Sequence, residues 1–269
     1  MDTVCYFDIS GEPVTASHYC YKQMDTDGFP PHTHDCCELI YLKNGSVSYL
    51  AEGRHYIVEA GSCILTRPGI RHTIRFRDNA VYDRYVFLLD RSLFDPLPES
   101  LEVLNLKSNA IVQELFHKMD FYADYLEQNS LETVIRNLIE EALLNFKIIS
   151  ARQPAGYTAN PIITEAVSYI TTHLQEPITL EALCAHLHIT KSYLHRLFLE
   201  YLQLPPAKYI TAKRLNKARM DIRAGCKPAQ TYGLWGFQDY CTFYRNYVRH
   251  FGYPPSEECS RPSAQVIEW

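Results

Sequence analysis

The apolar residues of this chain change period once, near Ser108. The change separates a part that buries its side chains as sheet from parts that bury them as helix. Before it, short apolar or alternating runs follow one another: Glu38-Leu39-Ile40-Tyr41-Leu42, Val47-Ser48-Tyr49-Leu50, His55-Tyr56-Ile57-Val58, Cys63-Ile64-Leu65-Thr66 and the stretch from Val81 to Leu89. Turn formers separate them at Asn44-Gly45, Glu52-Gly53, Ala60-Gly61, Pro68-Gly69 and Asp78-Asn79. Asn-Gly between two strand-like runs predicts a hairpin, because both residues tolerate positive φ. Many short strands at this spacing predict a barrel or sandwich.

After Ser108 the stripe is helical. Ile111, Leu115, Met119, Tyr122 and Leu126 fall three or four apart, and Leu131, Val134, Ile135, Leu138 and Leu143 continue the pattern beyond Asn129-Ser130. Two amphipathic helices of this length predict a hairpin. Residues 151–161, with Pro154, Gly156 and Asn160-Pro161, are polar and broken and read as a linker. From Pro161 to about Phe251 short helical stripes are interrupted at Gln175-Glu176-Pro177, His188-Ile189-Thr190, Leu204-Pro205-Pro206, Gly225-Cys226-Lys227-Pro228 and Gly236-Phe237-Gln238-Asp239. That pattern describes a small helical domain.

Composition narrows the class. A chain of 269 residues suits two domains, and 46% hydrophobic with 21% charged residues excludes a disordered polymer. No apolar run approaches the roughly 18 residues of a membrane span. Met1-Asp2-Thr3-Val4-Cys5-Tyr6 lacks the basic start and apolar core of a signal peptide. Nine scattered cysteines, an odd number, fit reduced thiols better than a disulfide framework. The expected location is the cytoplasm, with no membrane partner. The net charge of −5 is uneven: residues 177–252 carry 11 Lys and Arg against 4 Asp and Glu. A basic block on an acidic chain concentrates a polyanion locally, and nucleic acid is the obvious one.

The segment Leu180 to Phe198 reads as a helix-turn-helix. Leu183, Ala185 and Leu187 suit a first helix, His188-Ile189-Thr190 a turn, and Leu194, Leu197 and Phe198 the buried side of a second. Lys191, Ser192, His195 and Arg196 are then left facing outward near the start of the second helix, where base-reading side chains sit. Arg196 suits bidentate donation to guanine, whereas Ser192 and His195 discriminate less. The plainer alternative is an ordinary helical hairpin. Trp235 to Pro255 forms a second such unit, and Tyr209 to Ala218 lies between them as a helix.

With Gly236-Phe237 and the ending Phe251-Gly252-Tyr253-Pro254-Pro255, the region 164–256 resembles the AraC/XylS family of transcription regulators. The resemblance implies two helix-turn-helix units on double-stranded DNA. Ser192, His195 and Arg196 would contact bases from the first unit, and Tyr240, Cys241, Tyr244 and Arg245 from the second. Lys191, Lys208, Lys213, Arg214 and Arg249 are candidate phosphate contacts. The second unit departs from the family pattern at Asp221, Pro228, Thr231, Tyr232 and Trp235, and Gly233 weakens its first helix, so loose packing and weak DNA contact are expected there. A unit so altered has an alternative use in binding a protein such as RNA polymerase.

Gly28 to Glu38 with Gly45, and Gly61 to His72, resemble the two motifs of cupin barrels. In metal-binding cupins the positions of His32, His34, Glu38 and His72 hold a divalent metal, and His-x-His on a strand places both imidazoles on one face. In regulators of the AraC/XylS type the same residues line a pocket without a catalytic metal, and no cofactor is the expectation here. The expected effector site is a barrel mouth containing His32, His34, Glu38, Tyr41, Tyr49, Arg67 and His72, with a sugar or sugar derivative as ligand by resemblance. The alternative is a metal-dependent cupin enzyme, an isomerase or dioxygenase, with a helical appendage. The expected fold is α+β and multidomain. A cupin-like β-barrel spans 1–107, and a helical hairpin at 108–150 forms a homodimer through Leu131, Ile135, Leu138 and Leu143. A linker at 151–161, an all-α domain of two helix-turn-helix units at 162–256 and a tail at 257–269 complete it.

Overall fold

Alternation along the early runs becomes alternation of burial, inner and outer residues trading places in β2 (Val14–Tyr21) and its neighbours. The structure, a computed structural model, describes residues 3–9, 14–22, 28–77, 81–94, 97–98, 102–152, 158–260 and 266–268. The expected turn at Asp78-Asn79 and the linker residues Pro154 and Gly156 lie outside them. In chain order the strands of the first domain are β1 (Thr3–Ile9), β2, β3 (Phe29–His34), β4 (Cys37–Asn44), β5 (Ser46–Ala51), β6 (Arg54–Glu59), β7 (Ser62–Thr66), β8 (His72–Phe76), β9 (Tyr82–Leu89) and, after the short helix α1 (Arg91–Phe94), β10 (Val103–Asn105). β11 (Thr158–Ala159) and β12 (Val266–Glu268) join later. They form two six-stranded sheets ordered β1-β2-β9-β4-β7-β10 and β11-β6-β5-β8-β3-β12, with antiparallel pairing throughout. Among the inner side chains are Ile40, Leu42, Val47, Tyr49, Tyr56, Ile64 and Ile74.

The Asn44-Gly45 hairpin is not formed. β4 pairs with β7 and β9, and β5 pairs with β6 and β8, so Gly45 carries the chain from one sheet to the other. The tight hairpin comes one turn later. Ala51 pairs with Arg54, leaving Glu52 and Gly53 as a two-residue loop with φ of 48° and 82°. Two successive left-handed residues are what the right-handed strand twist favours there. The linker also differs from expectation, because its Thr158 and Ala159 pair with β6.

Helices α2 (Ala110–Tyr125) and α3 (Gln128–Ser150) lie against the outer face of the first sheet. Leu131, Ile135, Leu138 and Leu143, expected at a dimer interface, are instead buried in this chain's own core with Leu39, Tyr41, Phe87 and Phe116. Their stripe was read correctly as apolar, but the sheet covers it. Ile111, Phe121, Tyr125, Leu144 and Ile148 are the large apolar residues these helices expose.

One polar cluster fixes the helices to the sheet. His18, with no solvent access, meets Asp83 through Nε2 at 2.7 Å and Asp120 of α2 through Nδ1 at 2.5 Å. It is stacked between Tyr6 and Tyr85 at centroid distances of 4.3 and 3.9 Å. Lys43 and Tyr85 also donate to Asp120, at 3.0 and 2.6 Å. Burial alone would lower the His18 pKa, but hydrogen bonds and charge from Asp120 and Asp83 outweigh it and raise the pKa above the ordinary 6.5.

The second domain begins at α4 (Pro161–Thr172) and continues through α5 (Leu180–Leu187), α6 (Lys191–Leu202), the long α7 (Pro206–Arg223), α8 (Pro228–Leu234) and α9 (Tyr240–Phe251). A 3-10 turn follows at Pro255–Ser260. The loose packing expected of the second unit is not what the side chains show. Phe243 and Tyr247 are buried with Leu215, Ala218 and Ile222, and Tyr232, Trp235 and Phe237 pack against that group. Two departures compensate each other, since the Trp235 indole donates to Asp221 Oδ2 at 2.6 Å. Pro228 occupies the first turn of α8, where it lacks no needed donor. Thr231, buried, donates to the Lys227 carbonyl at 3.0 Å. The tail boundary also shifts: Glu258 has no solvent access and accepts from Arg219 and Arg223.

Two outcomes follow from this packing. With its folded pKa raised, His18 contributes stability that is fully present below its ordinary 6.5 and is lost as pH climbs through the raised value. His18→Gln should lower stability by roughly 1–3 kcal/mol near neutral pH and remove that alkaline decline, read by urea unfolding across the range. A parent stability that does not fall with rising pH would contradict the clasp. A Cβ added at Gly233 meets nothing within 4 Å, so Gly233→Ala should raise stability by about 0.4–1 kcal/mol in the same assay.

Candidate nucleic-acid interface and effector site

Each second helix of the two units starts at a built cap. Thr190 Oγ1 accepts from the Tyr193 amide at 3.3 Å, and Asp239 Oδ1 accepts from the Thr242 amide at 2.7 Å. The caps orient α6 and α9 so that Leu194, Leu197 and Phe198, and Phe243 and Tyr247, turn inward. Before α6 the chain reverses at His188, which holds a left-handed φ of 54°. Lys191, Ser192, His195 and Arg196 are all exposed, as are Cys241, Tyr244 and Arg245. The Arg196 guanidinium lies 5.0 Å from the Tyr193 ring centre, and Lys191 pairs with Glu181. Tyr240 is half-buried, its ring against Tyr232, Phe243 and Tyr244. It forms the wall of the second helix more than its tip.

The phosphate candidates divide. Lys208 and Arg249 are exposed with Lys191. Lys213 and Arg214, expected at phosphates, are instead engaged inside the protein. Lys213 reaches Glu52 Oε1 at 2.7 Å and Gly69 O at 3.1 Å. Arg214 donates to the carbonyls of Leu174, Gly236 and Glu176 at 3.0, 2.9 and 2.6 Å. Gly236 of the Gly-Phe pair thereby gains a reason, since a Cβ there would come within 2.7 Å of the Arg214 guanidinium carbon.

The barrel brings four of the seven expected effector residues together. His32 and His72 face each other across the β3–β8 pairing, and Glu38 projects from β4 beside His34. Ring centroids are 4.3 Å apart for His32 and His72, 4.8 Å for His32 and His34, and 5.2 Å for His34 and His72. Glu38 lies 3.4 Å from His34 Nε2 and 3.1 Å from His72 Nε2. Burial works to raise the Glu38 pKa, but His34 and His72 outweigh it and hold the carboxyl well below its usual range. Burial and the neighbouring His72 push His32 down to about 4, so it is neutral at ordinary pH. Three neutral-capable imidazoles and a carboxylate are a donor set that suits a first-row divalent metal.

The other three residues lie apart. Tyr49 is adjacent, its ring 5.9 Å from His72 and its hydroxyl on Thr66 Oγ1 at 2.9 Å. Tyr41 is on the wrong face: three residues after Glu38 on one strand, it stacks on Phe116 of α2 at 4.0 Å. Arg67 donates to the carbonyls of Leu97 and Pro98 and lines a cavity of about 390 Å³ between the barrel and α4 and α7.

Sequence reading missed the residues that join the domains. Glu52, 4% exposed, accepts from the Arg71 amide at 2.9 Å and from Lys213, and Tyr209 donates to it as well. Asp35 pairs with Arg219 at 3.2 Å and Arg223 at 2.9 Å. Arg71 Nε donates to the Leu202 carbonyl at 3.0 Å. A carboxylate within a Glu-Gly hairpin loop was the one available signal, and it reads equally well as a solvated turn.

Comparison with known proteins agrees with this architecture. The profile of the AraC-like ligand binding domain matches residues 15–152, about half of the chain, and that of a helix-turn-helix domain matches residues 183–260. The HTH-type transcriptional activator RhaS of Escherichia fergusonii is 24% identical over 243 residues, covering 85% of this chain and 87% of its own length. The HTH-type transcriptional regulator ArgR of Pseudomonas aeruginosa is 30% identical over 102 residues, 38% of this chain and 31% of its own. The solved structure of ToxT from Vibrio cholerae is similar over 93% of this chain and 98% of its own, at 12% identity and a TM-score of 0.40. RhaS and ArgR are transcription regulators, which sets the metal-dependent enzyme aside, and among the described residues no helix is long and apolar enough to cross a membrane. The chain belongs to the AraC family of DNA-binding transcription regulators, with a ligand-binding domain ahead of its helix-turn-helix domain.

Proposed function

We propose that this regulator reads two neighbouring DNA half-sites through α6 and α9, and that a small molecule held between its domains sets how well it does so. The observation that carries the DNA reading is the matched pair of capped helices, each turning a polar, partly cationic face outward over a buried apolar stripe. Successive major grooves on one DNA face are roughly 34 Å apart, and two such helices joined by a long third suit that spacing. A DNA reader works beside the chromosome, so the proposed location is the cytoplasm.

The proposed effector site is the cavity beside Arg67. Arg54, Arg67, Arg91, Lys213 and Lys217 line it with one carboxylate, Glu52, and Ile70, Leu97, Val167, Leu174 and Met220 supply apolar surface. Its volume falls within the usual range for small-molecule pockets. A carbohydrate derivative bearing an acid group suits that lining, with hydroxyls and charge met by the basic side chains. Because both domains form the walls, an occupant interacts differently with each domain arrangement, as linkage requires of an effector. We further propose a homodimer, formed through the exposed face of α3 carrying Leu144 and Ile148.

Selection of DNA from a random pool tests the reading. Two half-sites about one helical turn apart should be enriched, and sugar acids should shift the affinity by roughly 5-fold or more. Arg196→Ala should relax choice at one base pair, a loss of roughly 1–3 kcal/mol in discrimination. An equal loss for every sequence would remove its base-reading role. Lys208→Ala and Arg249→Ala should weaken all sequences alike and flatten the salt dependence. For the dimer, light scattering should give twice the chain mass for the parent and a monomer for Leu144→Glu with Ile148→Glu. A monomeric parent at micromolar concentration overturns it.

A further inference from the structure

We propose that the cavity between α7 and α9 binds a small aromatic carboxylate, and that this ligand competes with DNA for Lys208 and Arg249. The cavity follows from two helix faces. Lys208, Thr211, Ala212 and Leu215 fall three or four apart and share one side of α7, as Asn246, Arg249 and His250 share one side of α9. With Leu204, ahead of α7, they enclose about 370 Å³, at the small end of the usual range for small-molecule pockets. This cavity shares no lining residue with the one beside Arg67.

The lining sets the chemistry of the occupant. Leu204, Ala212 and Leu215 are buried and form an apolar floor, and Lys208 and Arg249 stand exposed at the rim. No Asp or Glu occurs among the described residues that line it. The basic side chains further along α7 are committed: Lys213 to Glu52, Arg214 to carbonyls, Arg219 and Arg223 to Asp35 and Glu258. Among the described residues neither Lys208 nor Arg249 makes an ion pair or a side-chain hydrogen bond. Asn246 Nδ2 donates to the Thr242 carbonyl at 2.8 Å, which uses one of its two amide hydrogens. His250 is uncharged, because burial and then Arg219 and Arg71 push its pKa down to about 3. An anion here meets two cations and an amide, and no like charge opposes it. A phosphodiester has no apolar part to cover Leu204 and Leu215, whereas an aromatic acid does.

Lys208 and Arg249 are also the side chains that meet phosphates in the proposed DNA reading. An acid seated between them neutralises the charge a phosphate would meet, so each occupant weakens the other by the same factor. The competition rests on that reading; the binding does not.

The test uses 2-naphthoate, with 2-naphthamide as its uncharged counterpart, on the isotope-labelled full chain. Naphthoate should bind with a Kd of about 1 mM or tighter and shift the amides of Lys208, Thr211, Leu215, Asn246 and Arg249. Naphthamide should bind at least about tenfold more weakly. Ala207→Phe fills the cavity from an exposed position and, its fold checked by circular dichroism, should remove the shifts. Absence of shifts at several millimolar naphthoate, or shifts confined to the surroundings of Arg67, overturns the site. At fixed ionic strength, saturating naphthoate should lower the parent's affinity for a short duplex of arbitrary sequence by about 5-fold or more. The same addition should leave the affinity of Ala207→Phe unmoved. Shifts with an unchanged parent affinity overturn the competition. A parent that binds no DNA at all removes the DNA reading and the competition together, and the amide shifts still decide the site.

Discussion

Arg219 is a guanidinium with 2% exposure, and a charge so placed is stable only if surrounding groups take over the role of water. Its partners come from three parts of the chain. Asp35 belongs to the barrel, Glu258 to the turn after α9, and Tyr253 and Phe251 to the end of the second helix-turn-helix unit. Removing one member of such a set leaves the others buried and uncompensated, typically a loss of about 3–5 kcal/mol. The second helix-turn-helix unit and the barrel are thus held against α7 by one shared charge. A change in the barrel at Asp35 is a change in the surroundings of α9.

Glu52 plays the matching role nearer the start of α7. Its backbone sits in the left-handed region, which costs a side-chain-bearing residue roughly 1 kcal/mol and is retained where the surroundings require it. Here the requirement is visible: the same carboxylate meets the Arg71 amide within the barrel and Tyr209 and Lys213 across the domain boundary. The hairpin loop that best suits Asn-Gly or Gly-Gly by backbone preference carries glutamate because its side chain joins two domains.

The departures of the second unit from its family pattern are examples of compensation. Trp235 and Asp221 each look unfavourable alone, one too large and one too polar for its helix face. Side by side they form a hydrogen bond, and the indole ring joins the core beside Phe237 and Tyr232. Buried polar groups are tolerated when both partners are present, and a chain read one residue at a time does not show the partner.

The strands, the helical pair and both helix-turn-helix units were legible because periodicity and turn chemistry are local. So were the outward faces of α6 and α9, since 3.6 residues per turn fixes which side chains oppose Leu194 or Phe243. The shared face of His32 and His34 followed from alternation, and the same rule, applied three residues past Glu38, already places Tyr41 on the opposite side. What covers each face was not local. The α3 stripe at Leu131 and Ile135 had an apolar partner in any reading, and only tertiary structure made it the sheet and not a second copy. Asn44-Gly45 had the chemistry of a hairpin, and sheet pairing decided that the chain changes sheets there. Lys213 and Arg214 looked like phosphate contacts until distant carbonyls and Glu52 claimed them. Local spacing determines which way a side chain points, and the meeting of segments far apart in sequence decides what it meets.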